Sequence, residues 1–253
     1  MVNGGFDVLD EGEVHIIMQQ DIILSFKTII MIDQEKGLAH SEERHDFATK
    51  VYGITSGMLI LTTIFTIIFY DTTGKLANNS VAIILSIVGT FGIIIALTCF
   101  RLSQKVPINY ILLSVFSICQ SVLLAISCSY YETTSVMIAF MMTAVMTSVL
   151  TVYAWNTKRD LSILYGILLV ALVGLIFTGI LLMFFNIGFL HSLYCLIGAI
   201  IFGIYIVVDV QMIEGRMKEK YELDDYVGGA MNLYLDILNL FLQLLKLLGK
   251  KKN

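Results

Sequence analysis

The stretch Tyr226–Leu248 reads YVGGAMNLYLDILNLFLQLLKLL. As a helix, the span Val227–Leu248 within it reaches about 33 Å, enough to cross a hydrocarbon core of about 30 Å. Within it Asn232, Asp236, Asn239, Gln243 and Lys246 follow at spacings of 4, 3, 4 and 3. Helical neighbours three and four apart share a face. The five polar groups therefore form one stripe, and Leu235, Ile237, Leu238, Leu240, Leu242 and Leu245 cover much of the rest. In a membrane such a stripe must turn toward protein or water, because lipid satisfies no polar group.

The rest of the chain has the same character. Of its 253 residues 57% are hydrophobic and 14% charged, and the mean hydropathy is +0.84. Soluble domains carry about a quarter charged residues. Uncharged runs near twenty residues recur, and the spacing predicts further spans at Val51–Tyr70, Val81–Phe100, Ile108–Cys128, Thr134–Ala154, Leu161–Phe185 and Phe189–Asp209. Pro107 falls in the first turn of the third, where a missing N–H costs little. No alternating polarity suggests strands. The expectation is an all-α membrane protein, a seven-transmembrane-helix bundle at residues 51–249 whose short loops make neighbours antiparallel. Residues 1–50 are an acidic leader with ten acids against four bases, and residues 250–253 a basic tail. Within the leader, Val14–Ile32 is apolar but broken by Asp21 and Lys27, which suits an interfacial or loosely ordered segment. The leader lacks the basic-then-apolar pattern of a cleaved signal peptide, so insertion is expected to begin with the first span.

Positive charge sets the orientation. Lys36, Arg44, Lys50, Arg101, Lys105, Lys158, Arg159, Arg216, Lys218 and Lys220 fall on one side, against Lys75 on the other. The leader is accordingly expected in the cytosol. Lys250, Lys251 and Lys252 strain this rule, since seven full crossings put them on the far side. A re-entrant seventh segment would bring them back, but the segment is long enough for a full span, which is the expectation adopted.

Two acids lie within the spans, Asp209 and Asp236. A charged residue at the bilayer centre costs about 2.5–3.5 kcal/mol on insertion scales. Asp236 is ten positions into the last span, whereas Asp209 is near the edge of the sixth and could be an ordinary interfacial carboxylate. The antiparallel arrangement makes contact between them feasible. Two adjacent carboxylates cannot both ionise cheaply, so they would share a proton and titrate as a unit. They are also candidate transient ligands for a hard cation such as Ca²⁺. The stripe of Asn232, Asn239 and Gln243 suits a wet path, with interhelical hydrogen bonding as the alternative. Arg101 closes the second span, either as a positive-side anchor or as a partner for an acid. Lys246 has the position of a snorkelling lysine. His191 reads as an interfacial side chain, and Gly53 with Gly57 form a GxxxG that weakly suggests close helix packing.

Other chemistries find no support. A net charge of −4 gives no sign of nucleic-acid binding. Cys99, Cys119, Cys128 and Cys195 lie in or beside apolar runs without metal-ligand spacing, and read as small hydrophobes. No nucleophile elbow, phosphate loop or zinc spacing occurs. No cofactor and no enzymatic activity are expected.

The 226–248 segment closely resembles the signature of Bax-inhibitor (transmembrane Bax inhibitor motif) proteins. IYIVVDVQMI, containing Asp209, is similar to the family's sixth-helix motif. NTKRDLS, around Lys158, Arg159 and Asp160, is similar to its loop after helix four, and KVYGI at Lys50–Ile54 to the start of its first helix. The resemblance runs through residues 43–250 and is nearest the Golgi anti-apoptotic (lifeguard) branch, viral members included. It implies a last helix enclosed by the other six. It implies a pH-sensitive calcium leak channel of Golgi or endoplasmic reticulum membranes that suppresses apoptosis, with Ca²⁺ as the permeant ion. Asp209 and Asp236 fall on the family's paired-aspartate sensor, and Arg101 near a basic residue that latches to it. Gln120 departs from the pattern, since close relatives carry glutamate there; the leader has no counterpart in it.

Partners then comprise the lipid bilayer, with apoptotic regulators or a second copy of the chain as further ones. One rival reading is a non-conducting anti-apoptotic scaffold acting through protein contacts. A seven-helix receptor disagrees with a cytosolic leader. A retinal protein would need a lysine near mid-membrane in the last helix, and Lys246 is too near its end.

Overall fold

The computed structural model describes residues 41–70, 80–99, 102–157, 159, 161–184, 188–217 and 221–252. Seven α-helices occur among them: α1 Ser41–Tyr70, α2 Ser80–Cys99, α3 Ile108–Ser129, α4 Thr133–Asn156, α5 Ser162–Phe184, α6 Gly188–Ile213 and α7 Tyr226–Leu248. Six are long and apolar enough to cross a membrane, and α2 holds a shorter apolar stretch, Ile83–Leu97. The expected spans sit inside these helices to within a residue or two, apart from the first and sixth. Helix α1 begins ten residues before Val51. The charges of Ser41–Lys50 hide it from a hydropathy reading, yet Phe47, Ala48 and Val51 fall on one helical face and are buried. Helix α6 runs four residues past Asp209. It ends at a turn where the Arg216 N–H donates to the Gln211 carbonyl and the Gly215 N–H to that of Met212. Gly215 has φ 67°, the left-handed residue that such a helix end requires.

Helix α7 is the centre. On one side Thr55 Oγ1 of α1 donates to the Ala230 carbonyl at 3.3 Å, and the Thr62 and Tyr234 hydroxyls meet at 2.6 Å. Phe116 of α3 lies against the Tyr234 ring, 5.9 Å between centroids. Tyr234, Leu238, Phe241 and Leu245 share an apolar cluster with Ile93 and Leu97 of α2 and Leu113 of α3. A second cluster joins Leu233, Leu240 and Leu244 to α4, α5 and α6. Helices α1, α3, α4 and α6 thus contact α7 directly, and α2 and α5 join the same apolar clusters. Their outer faces carry exposed Ile163 (81%), Val170 (72%) and Phe177 (64%), surfaces that only an acyl-chain environment accommodates in such number. Other buried hydroxyls donate within their own helices, as Ser117 does to the Leu113 carbonyl and Thr143 to that of Ala139.

The two ends of α7 lie at opposite ends of the bundle. At its start, Asn109 Nδ2 of α3 donates to the Tyr226 hydroxyl at 2.9 Å. Beyond its end, the Glu132 N–H donates to the Lys250 carbonyl and the Lys252 N–H to the Tyr130 carbonyl, both at 2.9 Å. The Lys250 ammonium pairs with Glu132 at 2.7 Å, and Lys252 Nζ donates to the Tyr70 hydroxyl at 2.8 Å. The tail therefore sits with the α3–α4 turn and the end of α1, opposite the α6–α7 turn. A re-entrant seventh segment does not describe this helix.

Asp225 starts α7, its carboxylate accepting from the Gly228 N–H at 3.2 Å. Asp225→Ala removes that acceptor, and a loss of about 1 kcal/mol in thermal or denaturant unfolding is expected. Asp225→Asn, which keeps an acceptor oxygen, should recover most of it.

Several expectations fall outside the described residues: Arg101, Lys158, Asp160 and the segment 14–32. Of the cysteines, Cys128 and Cys195 are buried, Cys119 is intermediate and Cys99 exposed, and all four are free thiols. Gly53 and Gly57 do not draw helices together. Nothing lies within 4 Å of a Cβ built on either, and they line an open groove between α1 and α3. His191 is exposed.

Candidate functional site

A cavity of about 510 Å³ lies between α5, α6 and α7. Every residue of the polar stripe lines it: Asn232, Asp236, Asn239, Gln243 and Lys246. Asn232 and Lys246 are fourteen residues apart, about 21 Å along the helix axis, so the stripe follows most of the hydrocarbon thickness. The opposite wall is apolar, with Leu169, Leu172, Leu175 and Ile176 of α5. The cavity is therefore polar along one wall and aliphatic along the other. This follows from sequence: α5 carries no charged residue and α7 carries a single stripe.

Helix α6 brings Asp209 to the same cavity, at 3% exposure. The Asp236 carboxyl lines it too, within electrostatic reach of Asp209. Asp209 Oδ2 has no hydrogen-bond partner and neither does Gln243 Oε1. The cavity thus presents two buried, unpaired acceptors. Asn239 spends its Nδ2 on the Leu235 carbonyl of its own helix, 2.9 Å away.

The sequence reading missed the tyrosines. Tyr165, Tyr194 and Tyr205 line the cavity, and Tyr205 is within electrostatic reach of both acids. Tyr205 stands four residues before Asp209 and shares its face, a spacing that could have revealed it. Tyr221, in the α6–α7 connection, accepts from Asn232 Nδ2 at 2.8 Å. Burial first, then the nearby Asp209 carboxyl, holds the Tyr221 phenol well above its ordinary pKa. It stays protonated at the acid end of the cavity.

Gly198 was also missed. A Cβ there would lie 2.8 Å from Gln243 Cδ and 2.9 Å from Nε2. The bare backbone of α6 is what lets the Gln243 amide lie between the two helices. Gln120, half-buried on α3, does not line the cavity. Among the described residues no group of three or more His, Cys, Asp or Glu could hold a metal.

At the α6–α7 end, α1, α4 and α6 are tied by polar contacts. The Tyr52 hydroxyl donates to Glu214 Oε1 at 2.9 Å, Trp155 Nε1 donates to Tyr52 at 3.3 Å, and the Arg216 guanidinium donates to the Trp155 carbonyl. These contacts cross the turn that follows Asp209.

Comparison with known proteins agrees with this architecture. Residues 44–253 match the family model described as inhibitor of apoptosis-promoting Bax1. The chain is 33% identical to mouse protein lifeguard 3 over 219 residues, 82% of this chain and 70% of that protein. It is 38% identical to the Golgi anti-apoptotic protein of vaccinia virus (strain Lister) over 208 residues, 81% of this chain and 85% of the relative. A BI1-like protein of Arabidopsis thaliana is 34% identical over 226 residues, 86% of each chain. With its helices, its acid-bearing last span and these relatives in agreement, the chain is a multi-pass membrane protein of the Bax-inhibitor family.

Proposed function

We propose that this protein is a pH-sensitive calcium leak channel of intracellular membranes that restrains apoptosis. The observation that carries the reading is the polar wall of α7 inside a cavity that Asp209 and Asp236 both line; in this reading the two carboxyls share a proton. A cation crossing lipid needs oxygen ligands along its way, and this wall supplies them over about 21 Å. The shared proton gives the contact between α6 and α7 its dependence on pH. Gain or loss of one proton changes the charge at that contact, and the helices answer by holding or loosening it. Asp236 lines the path and Asp209 shares its proton. Suppression of apoptosis and residence in Golgi membranes are supported by the name of one relative, the Golgi anti-apoptotic protein. A cytosolic N-terminus is supported by the distribution of Lys and Arg.

The test is Ca²⁺ efflux from proteoliposomes of purified protein, measured from pH 6 to pH 8. The expected result is flux above empty vesicles that varies with pH. A scaffold that works through apoptotic regulators or a second copy gives none, and absence of flux in protein with native helical content would replace the channel reading with that one. Labelling of a cysteine introduced at residue 5 reports the side of the leader.

A further inference from the structure

The 510 Å³ cavity is of the size that holds a small organic molecule, and its chemistry is specific. Its unpaired buried groups, Asp209 Oδ2 and Gln243 Oε1, are both acceptors, so what fills it must donate. The Asp209 and Asp236 carboxyls both line the cavity, and two acids there favour a donor that carries positive charge. Tyr165 and Tyr205 add aromatic faces to the same lining, and aromatic faces attract ammonium groups. The wall formed by Leu169, Leu172, Leu175 and Ile176 offers an alkyl chain its place. Lys246 lines the cavity ten residues beyond Asp236, about 15 Å along α7, and there it repels a second cation.

The geometry points to a binding site for a single-chain amphiphilic monoamine, its ammonium on the Asp209–Asp236 pair and its alkyl chain along α5. Water alone would pair the acceptors but would leave the aliphatic wall wet. A phosphatidylethanolamine carries two chains and an anionic phosphate, which the acids oppose. The amine occupies the same wall as the proposed ion path and would block it. Its binding is read directly on the protein, so a failed calcium assay leaves this site standing, and a failed binding assay leaves the channel standing.

The probe is radiolabelled octylamine with full-length protein in phosphatidylcholine nanodiscs. The expected result is a saturable component near one per protein, displaced by octylamine and not by 1-octanol. Asp209→Asn should weaken it about tenfold or more, the scale of a hydrogen bond to a charged group. Tyr205→Leu should weaken it about two- to fivefold, while Tyr205→Phe retains it. 1,8-Diaminooctane should compete more weakly than octylamine, and Lys246→Gln should narrow that gap. Three results overturn the site: no saturable component, which leaves water as the filling; equal displacement by octanol, which reports apolar partitioning; or unchanged binding in Asp209→Asn of native helicity. Should Asp209→Asn not fold, equal binding by Tyr205→Leu and Tyr205→Phe overturns it as well. In nanodiscs with phosphatidylethanolamine, octylamine binding should be unaltered; competition there would assign the site to a lipid headgroup instead.

Discussion

Asp236→Asn is expected to flatten the pH profile of calcium efflux. An asparagine at 236 keeps the size of the side chain and donates its N–H to Asp209, so the contact between α6 and α7 survives. It can no longer take up or release a proton at that position. In the proposed sensor, loss of the shared proton leaves both groups charged, and two like charges side by side in a low-dielectric cavity repel strongly. The variant never reaches that state. Efflux measured from pH 6 to pH 8 should therefore show the wild-type response and a nearly level line for Asp236→Asn. Asp209→Asn should do the same, because the pair titrates as one unit. A variant that keeps the wild-type profile and magnitude would remove the acid pair from the mechanism. Asp225→Asn is the control: Asp225 caps α7 outside the cavity, and the pH profile should be retained.

Gly198→Val should lower stability by about 1–3 kcal/mol, the scale of overpacking, and reduce efflux. The added Cβ would fall 2.8 Å from Gln243 Cδ, and Gln243 is 6% exposed, so the amide has no free solvent to retreat into. It must either force α6 from α7 or swing further into the cavity, which narrows the path. Thermal unfolding followed by a thiol-reactive dye suits the measurement, since Cys128 and Cys195 are buried until the bundle opens. The double variant Gly198→Val with Gln243→Ala makes room again and should recover most of the loss. Additive losses in the double variant would show that the two residues do not interact.

Much of the bundle was legible because lipid imposes a simple rule. A span needs about twenty apolar residues with every backbone group paired inside the helix, and composition alone exposes such runs. The same rule failed at α1. Its first turns lie among charges, and their helical state follows from the burial of Phe47, Ala48 and Val51, which no hydropathy window detects. The stripe on α7 was legible because helical periodicity puts positions three and four apart on one face. The aliphatic wall of α5 was not, since a uniformly apolar helix carries no mark of which side faces a cavity and which faces lipid. Gly53 and Gly57 mark the limit of motif reading: the spacing suggests close packing, and the neighbours decide against it.

By itself the sequence determined seven helices, their order, and an acid at a depth where lipid does not tolerate a lone charge. The tertiary structure decided what that acid meets. Asp209 and Asp236 are 27 residues apart in the chain, and a turn at Gly215, a cap at Asp225 and a bare α6 backbone at Gly198 together set how α6 and α7 align. Which side chains face each other across two helices depends on their rotation and offset, fixed by all the packing contacts at once. Spacing along one strand of sequence holds no record of either.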